Sequence, residues 1–304
     1  MSPKVSICIP TYQQADKLLI LFHSIEEQSF RDFEVIVTDD SHDNEVEDLC
    51  KSEFNFNIQY HRNTSTKGSP ENWNTVISLA KGDWIKLIHH DDYFFNSESL
   101  AKFVEEADRF PETHYFFCST SILDTHSGNQ YSYSVNTKLL DRISDFRAYL
   151  FHKNLIGAPS TGFFRKGQIE AYDKVLIWLV DIEFYSRILK STTVRGIDSE
   201  LIVTAISEKQ LTTNLKNNRN VELREFFYCY KKLIGDFDRL NRKIMRHRML
   251  DLFKEFHVSS IADLKSTGIK HEIPAYTLLF FGIYNLNAKF AFRLFYKLNH
   301  FSIP

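Results

Sequence analysis

Residues 4–18 read KVSICIPTYQQADKL. Val5, Ile7 and Ile9 alternate with smaller residues, which is the period of a strand, and Pro10 predicts its end. Asp16 stands where a helix N-cap belongs, and Leu18, Leu19, Phe22 and Ile25 then recur at helical spacing. Outward from this strand–helix unit the pattern repeats. FEVIVT (33–38) is a second strand, followed by the polar loop Asp39–Asp43 and a helix near Glu45–Glu53. A short strand around Ile58–Tyr60, a Gly68–Pro70 turn and a helix through Trp73, Val76, Ile77 and Ala80 follow. Gly82 predicts the end of that helix, and Trp84–Ile88 a fourth strand. Strands alternating with helices predict an α/β, Rossmann-like fold, a mostly parallel sheet with helices on both faces.

Ligands of such sheets sit beyond the C-terminal strand ends. Two acidic pairs fall there: Asp39–Asp40 after the second strand and Asp91–Asp92 after the fourth. One Asp-Asp pair is ordinary turn chemistry, since Asp closes Asx-turns and caps helices. Two pairs on one sheet edge point to a ligand. From about residue 115 the pattern loosens: Tyr115–Ser119, Thr161–Arg165, Thr193–Ile197 and Leu201–Ile206 read as strands, and Asp181–Lys190 as a helix. Beyond about residue 215 the chain reads helical throughout.

The 304 residues suffice for one large α/β core with a helical appendage. A net charge of −2 argues against a nucleic-acid partner. The charge is uneven: from Lys216 onward there are 16 Lys+Arg against 8 Asp+Glu, and before it 21 against 31, so the two parts are expected to meet different partners. Four scattered cysteines form no CxxC pair and predict neither a zinc knuckle nor a disulfide framework, fitting reduced thiols in the cytoplasm. The N-terminus enters a strand pattern at once, leaving no room for a signal peptide, and no stretch of about 18 apolar residues predicts a spanning helix.

KVSICIPTYQQADKL, VIVTDDS and NTVISLAKGDWIKLIHHDD, in that order and spacing over about the first 95 residues, resemble the donor-binding half of the family-2 glycosyltransferases with the GT-A fold. That resemblance implies a 1–215 catalytic domain, with a nucleotide-sugar-binding half at 1–95 and an acceptor-binding half at 96–215, and a separate helical region at 216–304. It implies that Pro10 and Tyr12 line a nucleoside pocket and that Asp40 accepts a hydrogen bond from the base, with Asp39 helping or shaping the turn. Asn72, in STKGSPENWN, packs beside the nucleotide in similar proteins; a helix-start role is the alternative. Asp91 and Asp92 match an acidic motif that holds Mn²⁺ or Mg²⁺ against the donor diphosphate, with Asp92 the principal ligand. Oxygen ligands suit both cations. The chain departs from the family where His89 replaces the first Asp of that motif. His89 and His90 read either as hydrogen-bonded loop histidines or as residues near the metal, and a zinc site of His89, His90 and Asp91 is a further alternative.

Inverting transfer also needs a base for the acceptor hydroxyl. In the family this is an acidic residue starting a helix in the second half, and WLVDIEFYSRILK places Asp181 there, with Glu183 its rival. Residues two apart on a helix point nearly opposite ways, so one alone faces the cleft. Ser160 and Thr161, in GAPSTG, read either as sugar-binding hydroxyls or as a strand entry. Residues 274–298 mix Leu and Phe with Lys289, Arg293 and Lys297, which suits membrane-surface contact through C-terminal helices, or packing on the domain or on a second copy in a homo-oligomer. The expected activity is inverting transfer from a nucleoside-diphosphate sugar, with UDP the expected nucleotide, to a saccharide or lipid-linked saccharide in surface polysaccharide synthesis, including lipopolysaccharide, O-antigen and capsule. It would take place in the cytoplasm or peripherally on the inner face of the membrane. Two other classes compete: a scaffold that binds nucleotide sugar without turnover, and a sugar-phosphate nucleotidyltransferase. The latter needs a glycine-rich triphosphate loop, and IPTYQQADK has no glycine.

Overall fold

Strand β1 (Val5–Thr11) is buried along its whole length. Parallel neighbours flank it: β2 (Phe33–Asp39) on one side and β4 (Trp84–Leu87) on the other, with β3 (Ile58–Arg62) beyond β2. A computed structural model describes residues 2–135, 142–206, 215, 217–269 and 273–285, with the backbone alone at 283–285. Two compact units emerge, Met1–Arg142 with Leu155–Gln210, and Ile143–Asn154 with Leu211–Pro304.

The first unit is an α/β sheet with strand order β3-β2-β1-β4, then β8 (Gly162–Arg165), β6 (Tyr115–Asp124), β9 (Val194–Ile206) and β5 (Tyr93–Phe94), with β7 (Gln130–Tyr133) on β6. Val5, Ile7 and Ile9 join Leu18, Leu21, Phe22 and Ile25 of α1 (Ala15–Glu26) in one apolar cluster. Cys8 points the other way, and its thiol meets the Val76 carbonyl of α3 (Ser69–Leu79) at 3.8 Å. Helices therefore cover both faces, as the alternation requires. Helix α2 (Glu45–Cys50) follows β2, and α4 (Ser99–Arg109) buries Leu100, Phe103, Val104 and Ala107.

The sheet is more mixed than the strand–helix repeat suggests. Its first four strands are parallel, but β8 (Gly162–Arg165) runs antiparallel to β4 and to β6 (Tyr115–Asp124). The runs at 193–197 and 201–206 form one strand, β9 (Val194–Ile206), parallel to β6, with a register shift around Ser119. Two short strands, β5 (Tyr93–Phe94) and β7 (Gln130–Tyr133), pair antiparallel to β9 and β6.

Three local expectations change. Pro10 lies inside β1, which runs on to Thr11. The residue before α1 is Gln14, with Asp16 in the first turn. Gly82 does not end α3, which stops at Leu79; it lets β1 pass, since a Cβ there would lie 2.7 Å from the Ser6 nitrogen.

In the second unit a 3₁₀ segment (Ile143–Phe151) is bonded to α7 (Arg239–Glu255) through Asn241. That side chain accepts from the Ala148 N–H at 2.8 Å and donates to the Asp145 carbonyl at 2.9 Å. Helices α6 (Arg219–Leu233), α7 and α8 (Ile261–Ser266) are capped by the side chains of Asn218, Asp238 and Ser260. Phe280 and Phe281 of α9 (Ala275–Asn285) are buried against Phe253, while Leu278 and Leu279 are exposed. Lys289, Phe290, Phe292, Arg293, Leu294, Phe295 and Lys297 lie outside the described residues. Among those described, no helix is long and apolar enough to cross a membrane.

Candidate active site

β2 and β4 lie parallel to β1 on either side, so their acidic turns stand at the same end of the sheet. Both turns are bonded to the end of β1. The Asp40 N–H donates to the Thr11 carbonyl at 3.1 Å, and the His90 ring donates to the Pro10 carbonyl.

Asp39, the last residue of β2, is fully buried. Its Oδ1 accepts from the Ser41 N–H at 2.8 Å and the Thr11 hydroxyl at 3.2 Å, and its Oδ2 from the Tyr60 hydroxyl at 2.8 Å, with Arg62 3.8 Å away. These contacts shape the turn and leave the carboxylate no exposed face. Asp40 is differently engaged. Oδ2 accepts from the Lys67 and Gly68 N–H groups at 3.1 and 3.0 Å, and Oδ1 from Asn63 at 2.7 Å. A carboxylate offers about four acceptor positions, so one position on Oδ1 remains among the described residues.

Asn72, at 3% exposure, is a tie between strands. Its amide donates to the Thr11 and Thr38 carbonyls at 3.2 and 3.3 Å, and its oxygen accepts from Asn63. Tyr12 is 44% exposed, with its ring edge-on to His42. Gln13 and Gln14 both adopt left-handed backbone, at φ 56°. The Gln13 N–H bonds the Ser41 hydroxyl at 2.6 Å, and the Gln14 amide lies 3.4 Å from the His90 ring. Two non-glycine residues in this region are strained, and such strain clusters at ligand sites.

The turn after β4 is built from behind. Ser160 is fully buried; its hydroxyl accepts from the His89 N–H at 3.0 Å and donates to Asp92. Asp92 also accepts from the Ala205 N–H at 3.2 Å, and burial, reinforced by the charge of Asp91, raises its pKa. Beneath them lies the fully buried Lys86, donating to the carbonyls of Ser160 and Gly162 and sitting 4.8 Å over the Phe103 ring. Burial lowers this ammonium to about 8. Its signal in the sequence is a lone lysine inside the apolar run WIKLI. Ser160 and Thr161 do not face a sugar: both are buried, and Thr161 donates to the Ala158 carbonyl.

His89, Asp91 and Asp92 place one ligand atom each within 4.8 Å of one another. The His89 Nε2 is buried and has no hydrogen-bond partner among the described residues, and burial holds its pKa near 4, so the ring is a neutral donor. Two carboxylates and one imidazole, whose buried ring nitrogen is orphaned, fit a divalent cation, Mn²⁺ better than Mg²⁺ because of the nitrogen.

Asp181 lies in the first turn of α5 (Val180–Ser191), half-buried, with Oδ1 accepting from the Ile182 N–H at 2.9 Å. Burial raises its pKa from 3.8 to about 6, and Tyr115, Tyr172 and Tyr185 feel its charge. Glu183 is fully buried, and Arg187 grips both its oxygens at 2.7 and 3.1 Å. An aromatic chain links α5 to the β4 turn. The His89 ring lies 4.7 Å from Trp73, Trp73 5.1 Å from Tyr172, and Tyr172 4.1 Å from Phe184.

Comparison with known proteins agrees with this architecture. The sequence model of Glycosyl transferase family 2 matches residues 6–172. An uncharacterized glycosyltransferase of Haemophilus influenzae is 26% identical over 113 residues, 37% of each chain, so the match spans little more than a third of that relative. Abequosyltransferase RfbV of Salmonella typhimurium is 33% identical over 93 residues, 29% of this chain and 28% of that one. Residues 1–349 of S. aureus TarS in complex with UDP-GlcNAc superpose with a TM-score of 0.65 at 18% identity, covering 83% of this chain and 73% of that one. The mannosyltransferase PcManGT of Pyrobaculum calidifontis, in complex with GDP-Man and Mn²⁺, superposes at 0.58 and 15% identity, covering 98% and 84%. These two likenesses show the GT-A fold. With the family model spanning more than half of the sequence, the chain belongs to glycosyltransferase family 2.

Proposed function

We propose that this glycosyltransferase moves a sugar from a nucleoside-diphosphate donor, UDP-linked by preference, to a hydroxyl of a saccharide or lipid-linked saccharide, with inversion at the anomeric carbon. The observation that carries this reading is the pair of dissimilar acidic turns on one strand end. One has a single carboxylate acceptor position left, and the other has a set of cation ligands. Asp40 receives an N–H of the base, Tyr12 offers its exposed ring to the base, and Pro10 shapes the pocket through its backbone. Asp39 and Asn72 act through the turn geometry they hold. Asp91 and Asp92, with His89 beside them, would hold a divalent cation, which would supply Lewis-acid stabilisation of the departing diphosphate.

Asp181 is the base. Its carboxylate takes the proton of the acceptor hydroxyl as that oxygen attacks the anomeric carbon, while the bond to the diphosphate breaks on the opposite face. A carboxyl raised to about 6 is mostly ionised at neutral pH and is a stronger base than an exposed one. Glu183 does not compete, because Arg187 holds it. We place the acceptor in surface-polysaccharide synthesis, and support for a lipid-linked saccharide comes from a glucosyltransferase of Campylobacter jejuni named for a GalNAc(5)-diNAcBac-PP-undecaprenol acceptor, 28% identical over 109 residues, 35% of this chain.

A panel of UDP-, GDP- and TDP-sugars, each with and without Mn²⁺, tests the reading by thermal stabilisation. A Tm rise with one UDP-sugar that requires the cation is expected. No rise with any donor, or equal rises without Mn²⁺, overturns it.

A further inference from the structure

Away from the acidic turns, the second unit holds another cluster of ligating side chains. His247 and Asp251 stand one turn apart on α7, and His152 follows the 3₁₀ segment. The Nδ1 atoms of His152 and His247 lie 3.6 and 3.4 Å from the same oxygen, Oδ2 of Asp251. All three ligand atoms are within 4.8 Å of one another. A tetrahedral zinc ion with bonds of about 2.0–2.2 Å separates its ligands by about 3.3–3.6 Å, the spacing found here between each ring and the carboxylate.

Hydrogen bonding orients one ring for this purpose. The Nε2 of His152 lies 3.3 Å from the Ile244 carbonyl, which can only accept, so Nε2 carries the proton. In the neutral ring, Nδ1 then turns a lone pair toward a carboxylate oxygen, an arrangement that a cation between them makes favourable. A ligating histidine whose other N–H donates to a backbone carbonyl is the usual outer-sphere arrangement of a metal site. Packing orients both rings. Tyr149, His152 and His247 stack in sequence, with centroids 5.4 and 5.3 Å apart. The two histidine side chains are 14% and 10% exposed and that of Asp251 27%, so the carboxylate is the most solvent-exposed of the three ligands. Arg248, a nearby cation, turns toward Glu255 at 3.3 Å.

We propose that His152, His247 and Asp251 form a zinc site that clamps the 3₁₀ segment Ile143–Phe151 to helix α7. Two imidazoles and one carboxylate, with water in the fourth position, are a ligand set zinc accepts. The site is independent of the donor and of the proposed reaction.

The test uses the full chain, stripped with chelator and titrated with Zn²⁺, and in parallel with Co²⁺ as a spectroscopic probe. Tight uptake of one zinc, a Tm rise of several degrees, and visible d–d bands of tetrahedral Co²⁺ are expected. Asp251→Asn and His247→Gln each weaken that uptake by at least about 100-fold, beyond the 10–100-fold typical of outer-sphere partners. The double variant Asp91→Asn/Asp92→Asn retains it. Absence of zinc uptake and of tetrahedral Co²⁺ bands in the unmodified chain overturns the proposal. Loss of both only in the Asp91/Asp92 variant does so equally. Should the second-unit variants fail to fold, the unmodified chain and the Asp91/Asp92 variant still decide.

Discussion

The turns after β2 and β4 carry the same Asp-Asp dipeptide at the same sheet edge, yet their carboxylates are treated oppositely. After β2, N–H and O–H groups of the chain itself surround both acids: Ser41, Thr11 and Tyr60 on Asp39, and Asn63, Lys67 and Gly68 on Asp40. After β4, Asp92 is buried with fewer donors and in the field of Asp91, and its pKa rises. The first turn is nearly satisfied by its own chain. The second is electrostatically incomplete and suits a cation. Identical residues thus acquire different chemistry from the number of donors the fold aims at them.

Breaking the incomplete turn should cost most. Asp92→Asn is expected to reduce metal-dependent transfer by about 10³-fold or more, since a Lewis acid contributes several kcal/mol to the transition state. The folded chain should remain about as stable, because burial already opposes ionisation of this carboxyl. Near-normal transfer with unchanged Mn²⁺ dependence would refute the contrast.

Asp181→Asn should lower turnover by about 10²–10⁴-fold while leaving donor affinity in place, as calorimetry on the UDP-sugar can check. The folded carboxyl keeps its proton up to about pH 6, whereas an ordinary one loses it near 3.8. This group's contribution to native stability is therefore fully present at low pH and declines as pH rises from about 4 through 6, by about 1–3 kcal/mol. Asn removes that cost, so denaturant melts at pH 7 should show the variant more stable than the parent. In the parent, kcat should fall about tenfold per pH unit below about 6, with Tyr115, Tyr172 and Tyr185 the titratable groups around the carboxylate. A flat profile from pH 5 to 8 assigns the proton elsewhere.

The satisfied turn should respond less. Asp40→Asn loses charge-assisted bonds to Lys67 and Gly68, worth about 1.5–3 kcal/mol, and should weaken nucleotide binding by about 10–100-fold with kcat little changed. Smallest of all, Tyr60→Phe removes one bond from Asp39 and should cost about 1 kcal/mol of stability, with transfer within a few-fold of normal. A larger loss of activity from Tyr60→Phe than from Asp40→Asn would invert the assignment of the two acids.

Much of this was legible in the sequence where the relevant physics is local. Period-2 alternation located β1 and β2, helical spacing located α1 and α3, and strand-end position singled out both acidic pairs. What stayed hidden depends on distant partners. β5 is two residues long and exists because β9 pairs with it. β9 read as two runs because Asp198, Ser199 and Glu200 interrupt its apolar pattern, while pairing with β6 carries the strand through. The segment at 143–151 groups with the C-terminal helices through Asn241, nearly a hundred residues away. Glu183 and Asp181 are alike in sequence, and the grip of Arg187 on Glu183 separates them. The left-handed Gln13 and Gln14 carry no glycine to announce them.

With Asp40 meeting the base as proposed, the polarity of its open position also orients that base. A carboxylate has nothing to donate, so the edge it meets must present an N–H. Uracil, thymine and guanine offer a ring N–H, whereas cytosine and adenine reach it only through an exocyclic amino group, their ring nitrogens setting lone pair against lone pair. CDP- and ADP-linked sugars would then have to enter in a different base register, a penalty that arises from one oxygen without any steric barrier in the cleft.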